Sequence, residues 1–250
     1  SILNLLYAIK LAGYTPVLCD VDDSYHIDLD AADAKITANT QAIVYVTLLG
    51  QPARSDITEW CEKNNLTLVV DAAQSFGAPI ADSKFSILSF SPSKPCTSFG
   101  SAGALVTDCL GVANIAQQTR LHGNADYLGI NSMISTTEAS AIQINLGLLD
   151  EHLARRKRIA YEYFRELTGK FTFPRYLKDC TYSKFVIQTD ERDMLKARLN
   201  VNNIQTGIHY NRQFTQPNSL RLSKISLTLP NCSYTTDEEV ERTITCLKEF

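Results

Sequence analysis

Short runs of apolar and β-branched residues alternate with helix-like stretches through the first 110 or so residues, and no other feature constrains the fold of this chain as strongly. Residues 15–20, 42–48, 66–70, 87–90 and 104–107 read as strands. Residues 4–12, 30–36 and 55–63 read as helices, with Gly13 suited to a left-handed cap after the first and Ser55 to an N-cap before the third. Strands that alternate with helices favour a mostly parallel sheet, since each parallel pair needs a crossover long enough to hold a helix. The uninterrupted apolar run at 66–70 predicts a strand buried on both faces.

The pattern changes in the second half. Residues 135–169 turn helical, with Ile142, Leu146 and Leu149, then Leu153, Ile159, Tyr163 and Leu167 at helical spacing. The basic run Arg155-Arg156-Lys157-Arg158 within it reads as a solvated helix face in preference to a nucleic-acid patch. Beyond it, short strands at 185–188, 206–209 and 225–229 mix with helices at 192–199 and 236–250. A chain of 250 residues can bury a large and a small core. The expectation is an α/β large domain over 1–150, holding the parallel sheet, and a small C-terminal α+β domain over 151–250.

Two strand ends carry the chemistry. Asp71-Ala72-Ala73-Gln74-Ser75 follows the run 66–70, and Ser89-Phe90-Ser91-Pro92-Ser93-Lys94 follows the next short apolar run. In open parallel sheets, ligands collect at the carboxyl ends of strands. A carboxylate and an amine there can hold the two working ends of a pyridoxal phosphate ring: the lysine forms the Schiff base, and the aspartate keeps the pyridine nitrogen protonated. The plainer alternatives are an N-cap for Asp71 and an exposed loop lysine for Lys94.

Other function classes are disfavoured. A net charge of −3 gives no basic footprint for nucleic acid. The seven cysteines are scattered with no Cys-x-x-Cys pair, which points to reduced thiols, and the four histidines show no metal-ligand spacing, so no metal is expected. Residues 1–6 lack the basic flank of a signal peptide, and no apolar stretch approaches the roughly 20 residues that span a bilayer. A cytoplasmic protein without membrane contact is expected.

At this point several segments share a resemblance. Val69-Val70-Asp71-Ala72-Ala73-Gln74-Ser75-Phe76-Gly77-Ala78 resembles the cofactor segment of the DegT/DnrJ/StrS aminotransferases, fold type I pyridoxal phosphate enzymes that act mostly on nucleotide-linked keto sugars. Ser89 to Lys94 is similar to their lysine segment, and Gly103 to Asp108 to the strand after it. Leu121-His122-Gly123 and Gly129-Ile130-Asn131 resemble two of their loops, residues 139–156 their long helix, and Gly207-Ile208-His209-Tyr210 and Leu229-Pro230 their C-terminal domain. The segments occur in the family's order along nearly the whole chain.

The resemblance implies a transaminase that moves an amino group from glutamate to a nucleotide-linked keto sugar. Lys94 would carry pyridoxal 5'-phosphate and shuttle the proton, and Asp71 would pair with the ring nitrogen. Gln74 would lie at the ring's phenolic oxygen, Ala73 against one ring face, and Ser89 at the phosphate, although a strand serine bonded to backbone is an equal alternative. Asn131 would reach the cofactor phosphate of a neighbouring subunit, implying a homodimer, or else be a turn residue. The resemblance also marks departures: the chain is N-terminally short, so the family's helix start that grips the phosphate is expected to be missing. Ile2 falls where an aromatic ring is usual, Met133 where an arginine is usual, and residues 211–223 shorten a substrate-facing loop. These departures motivate an alternative, a non-catalytic relative serving as a binding or dimer-partner subunit. A third reading, a desulfurase-like role for Cys96, competes with Cys96 as a packed small side chain.

Overall fold

The structure, a computed structural model, describes residues 2–209 and 214–250, with side chains from Asn4 onward. The expected stacking position at Ile2, the expected motif residue Tyr210 and the beginning of the shortened loop at 211–213 therefore lie outside the described side chains. Four strands form the larger sheet in sequence order: β1 (Ala42–Val46), β2 (Thr67–Asp71), β3 (Phe85–Ser89) and β4 (Gly103–Val106). The first three are parallel and β4 runs antiparallel to β3, so the sheet is mostly parallel, as the alternating pattern predicts.

One face of the sheet is buried and the other is half-open. Ile43 and Tyr45 of β1, Leu68 and Val70 of β2 and Leu88 of β3 pack with Ile57 and Cys61 of α3 (Ile57–Lys63). Burying a side chain of this size stabilises by about 1.5–3 kcal/mol. Val69, Ile87 and Leu105 point the other way, and Ile87 and Leu105 are 37% and 41% exposed. The run at 66–70 is therefore not buried on both faces, because the helix packing reaches only one of them.

The second half builds a separate core. β5 (Phe185–Gln188) and β6 (Ser226–Leu229) pair antiparallel. The long α6 (Leu149–Leu167), α7 (Arg192–Val201) and α9 (Asp237–Lys248) supply Tyr163, Leu167, Leu195, Leu199 and Leu247, all fully buried with Phe185 and Leu227. A third, smaller cluster joins the halves: Tyr25 and Leu49 pack against Val186 and Leu222.

Several local expectations change. Residues 15–20 form no strand, because no neighbouring strand among the described residues takes up their backbone groups. The stretch is held by side chains instead, with the Asp20 carboxylate accepting from the backbone N–H of Asn218 at 2.8 Å and the hydroxyl of Ser219 at 2.7 Å. The stretch 206–209 contributes only a single bridge, Gly207 to Thr228. Helix α3 begins at Ile57, not Ser55, and Asp56 at its cap gives its carboxylate to Arg54 at 2.9 and 2.7 Å instead of to the helix.

The helical stretch from 135 onward is two helices, α5 (Thr136–Gly147) and α6, separated at Leu148 (φ −103°, ψ 1°). Helix α5 opens on a capping box between Ser135 and Glu138. Two helices had no prediction: α4 (Leu110–Leu121) and α8 (Pro217–Ile225), the latter occupying most of the stretch read as a shortened loop. The basic run is not uniformly solvated either, for Arg156 is turned inward and only 6% exposed.

Candidate active site

The register of the parallel strands puts Asp71 and Ser89 on the same side of the sheet. Asp71 pairs with Ile87, and Ser89 lies two residues further along β3, so the period-two alternation aims both side chains from the half-open face at the carboxyl ends of their strands. Asp71 is not a helix cap. A turn follows it, and its Oδ1 accepts the Ala73 N–H at 3.1 Å, while its carbonyl accepts the Thr47 N–H at 3.1 Å and hydroxyl at 3.2 Å. Thr47, at the end of β1, also bonds Ser75 hydroxyl to hydroxyl at 2.5 Å, which fixes the turn that carries Ala73 and Gln74.

Gln74 Oε1 accepts the N–H of Leu49 at 3.1 Å. Leu49 sits in the left-handed region (φ 62°), an uncommon conformation for a leucine, and Gly50 follows it at φ 86°. The turn is held from the far side: the Leu49 carbonyl accepts the Lys184 N–H at 3.4 Å, and the Gly50 carbonyl accepts the Thr181 N–H at 2.8 Å. A continuous set of hydrogen bonds therefore runs from the turn behind β2 to residues 181–184.

Ser89 meets the hydroxyl of Ser91 at 3.1 Å, so its hydroxyl is bonded within its own loop and not to strand backbone. That loop turns back at Lys94, whose N–H donates to the Ser91 carbonyl at 3.0 Å. Lys94 is half-buried rather than an exposed loop lysine. Burial pushes its ammonium below the ordinary lysine range, and the Asp71 carboxylate pulls the other way. A half-buried amine in the loop after β3 and a carboxylate at the end of the neighbouring β2 can take the aldehyde and the ring nitrogen of pyridoxal phosphate, so these two residues fit that cofactor.

Asn131 stands apart. It is exposed on the loop after α4, whose backbone is held by Ile130 N–H to the Thr119 carbonyl (2.9 Å) and Ser132 N–H to the Arg120 carbonyl (3.1 Å). No hydrogen bond among the described residues joins it to Asp71, Gln74, Ser89 or Lys94. Met133, on the same loop, is 52% exposed. Cys96 is 1% exposed with its thiol toward the Ile142 carbonyl, and burial raises its pKa, so it is a packed side chain and not a mobile nucleophile.

A cavity of about 320 Å³ opens beside Lys94. Its other walls come from the second half of the chain, with Arg156, Ser183, Lys184 and Asn231 among them. None of these four was a sequence candidate as a site residue. Their only signal was the basic run containing Arg156, which composition alone could not separate from a solvated face. Among the described residues no group of three or more His, Cys, Asp or Glu side chains is placed to hold a metal ion, and no helix is long and apolar enough to cross a membrane.

The sequence profile of the DegT/DnrJ/EryC1/StrS aminotransferase family matches residues 6–248. UDP-2-acetamido-2-deoxy-3-oxo-D-glucuronate aminotransferase of Pseudomonas aeruginosa is 31% identical over 81% of this chain and 61% of its own length. dTDP-3-amino-3,4,6-trideoxy-alpha-D-glucose transaminase of Streptomyces venezuelae is 31% identical over 81% of this chain and 58% of its own. The chain thus spans about three-fifths of the length of these two relatives. A DegT DnrJ EryC1 StrS aminotransferase from Brucella abortus, solved by crystallography, superposes with a TM-score of 0.91 at 27% identity, covering 98% of this chain and 75% of that one.

Proposed function

Because the chain belongs to the DegT/DnrJ/EryC1/StrS aminotransferase family, we propose that it is a pyridoxal phosphate-dependent transaminase that moves an amino group from glutamate to a nucleotide-linked keto sugar. One observation carries the reading: Asp71 ends β2, and a half-buried Lys94 lies in the loop after the neighbouring parallel strand β3 and lines the cavity there. The two named relatives, one acting on a UDP-linked and one on a dTDP-linked sugar, support the substrate class. The non-catalytic alternative is not favoured.

The roles follow from the chemistry of each side chain. When bound, pyridoxal phosphate supplies a conjugated ring that takes up the electron pair left when a C–H bond beside the nitrogen breaks. The Asp71 carboxylate holds the proton on the ring nitrogen, and its bond to the Ala73 N–H fixes its orientation. Ala73 would present only a methyl group toward a ring face, and Gln74, oriented by its bond from the Leu49 N–H, would lie at the phenolic oxygen. Ser89 donates its hydroxyl to the phosphate, within reach of Ser91. Lys94 Nζ would carry a proton between the substrate carbon and the cofactor carbon, a role that needs the neutral amine and contributes ~10²–10⁴-fold.

In this reading residues 1–150 hold the cofactor and residues 151–250 form the small domain beside it. Asn131, exposed and not hydrogen-bonded to the other five among the described residues, serves the site of a second copy in a homodimer, and the reaction is cytoplasmic. The test is 2-oxoglutarate release from glutamate in the presence of a UDP- or dTDP-linked 3-keto sugar. Wild type should release it and gain visible absorbance on adding cofactor, and Lys94→Ala should do neither. Equal colourlessness of wild type and variant would sink the proposal.

A further inference from the structure

The far wall of the cavity beside Lys94 is positively charged and incompletely bonded. Arg156 is 6% exposed and meets no carboxylate among the described residues. Its Nη1 donates to the carbonyls of Asn231 at 2.5 Å and Ser183 at 3.3 Å, while its buried Nε has no partner among the described residues. The buried Ser183 Oγ and Asn231 Oδ1 are also without partners among those residues, although Asn231 Nδ2 is committed to the Tyr182 carbonyl at 2.8 Å. Buried polar atoms are normally satisfied, and these three belong to residues that line one cavity.

Lys184 adds a second cation to this wall. It is half-buried with no ion pair among the described residues, and its backbone is anchored on Leu49. Burial first, then the neighbouring Lys94 and Arg156, press its ammonium below the ordinary lysine range. The lining of the cavity contains Lys94, Lys184 and Arg156 and no Asp or Glu. Like charges brought together out of water repel, and an anion between them relieves both that repulsion and the lost hydration. Met133, where the resemblance leads one to expect an arginine, supplies no charge and lies exposed on another loop, so the positive potential here has a different source.

We infer that this cavity is a carboxylate site, in which Lys184 and Arg156 hold the carboxylate of a reactant while Ser183 Oγ and Asn231 Oδ1 take its hydroxyl or amino groups. The inference rests on the transaminase reading only for which reactant enters. Asn231 Oδ1 can only accept a hydrogen bond, so the fitting ligand carries a donor as well as a carboxylate. Two reactants have that chemistry: the amino-acid donor and a nucleotide-linked sugar acid. Lys184 and Arg156 are substrate-binding residues in either case.

The experiment is calorimetric titration and thermal denaturation of the purified protein, with and without saturating pyridoxal phosphate. The probes are 2-methylglutamate for the amino-acid arm, which carries an ammonium donor but no proton to lose beside it, glucuronate for the sugar-acid arm and inorganic phosphate. At least one carboxylate should bind and raise the melting midpoint. Lys184→Met should weaken that binding tenfold or more, Lys184→Gln should do the same, and Lys184→Arg should restore most of it, each with an unchanged circular dichroism spectrum. Binding of 2-methylglutamate alone assigns the site to the donor, and binding of glucuronate alone assigns it to the sugar. The inference is overturned if neither carboxylate binds, if Lys184→Met binds as tightly as wild type, or if phosphate binds more tightly than both. Carboxylate binding without cofactor attachment would instead remove the transaminase reading and leave this site standing.

Discussion

Gly50→Ala tests the joint that ties the turn behind β2 to residues 181–184. Gly50 has φ +86°, where an alanine costs about 1–2 kcal/mol. An added Cβ would also lie 2.5 Å from Thr181 Oγ1, 2.6 Å from the Ser183 nitrogen and 3.0 Å from the Tyr182 nitrogen. Two of those atoms are backbone, and they cannot withdraw without losing the bond from the Thr181 N–H to the Gly50 carbonyl. Overpacking of this kind costs about 1–3 kcal/mol, giving roughly 2–5 kcal/mol in all. For a chain of this size that corresponds to a fall in Tm of roughly 4–20 °C.

Gly13→Ala is the control. Gly13 has φ +82° and nothing within 4 Å of an added Cβ, so it carries the conformational cost alone, partly offset by a less flexible unfolded chain. Its Tm should fall by only a few degrees, on the order of 1 kcal/mol. Both melts are read by circular dichroism in one buffer. Equal losses at the two glycines would refute the argument that close packing against residues 181–183 holds the joint.

Four further outcomes are expected. His26 is fully buried with Nε2 unpartnered among the described residues, and burial pushes its pKa down to about 4. The unfolded chain binds that proton below pH ~6.5, so stability falls as pH drops from there toward 4, by about 3 kcal/mol in total, and His26→Gln should flatten the melting-pH curve. Asp71→Asn should reduce amino transfer on the order of 10–100-fold, from a charge-assisted bond worth ~1.5–3 kcal/mol, and an unchanged rate would remove Asp71 from the site. The rate of cofactor attachment to Lys94 should rise with pH to a midpoint below that of an exposed lysine; because the Asp71 carboxylate raises the Lys94 pKa, Asp71→Asn should move that midpoint lower still. Iodoacetamide should label the exposed Cys109 and Cys232 well before the buried Cys61, Cys96 and Cys180, and mass spectrometry showing early labelling of Cys96 would contradict its buried placement.

The strands and the residues at their ends were legible because their signals are local. The run 66–70 followed by Asp71, and the serine-rich loop ending in Lys94, each contain strand, turn and functional group within a few residues. What escaped depends on partners distant in sequence. Residues 15–20 have the composition of a strand, yet a strand exists only when a neighbour takes up its backbone groups. Helix α4 has no fully buried residue, so its apolar positions draw no clear stripe. Helix α8 carried a readable signal, Pro217 at its first position, in a stretch read only for its length. Arg156 shows the limit most plainly: four basic residues in a row look alike in sequence, and only the packing of α6 decides that one faces a cavity while Arg158 faces water.

The central claim is that Lys94 is the lysine that holds the cofactor, and its nearest rival in the same cavity is Lys184. Incubation with pyridoxal phosphate, borohydride reduction, proteolysis and mass spectrometry would locate the attached group. A phosphopyridoxyl mass on Lys94, lost in Lys94→Ala and kept in Lys184→Met, is the result predicted. The same mass on Lys184, or on neither lysine, would contradict the account.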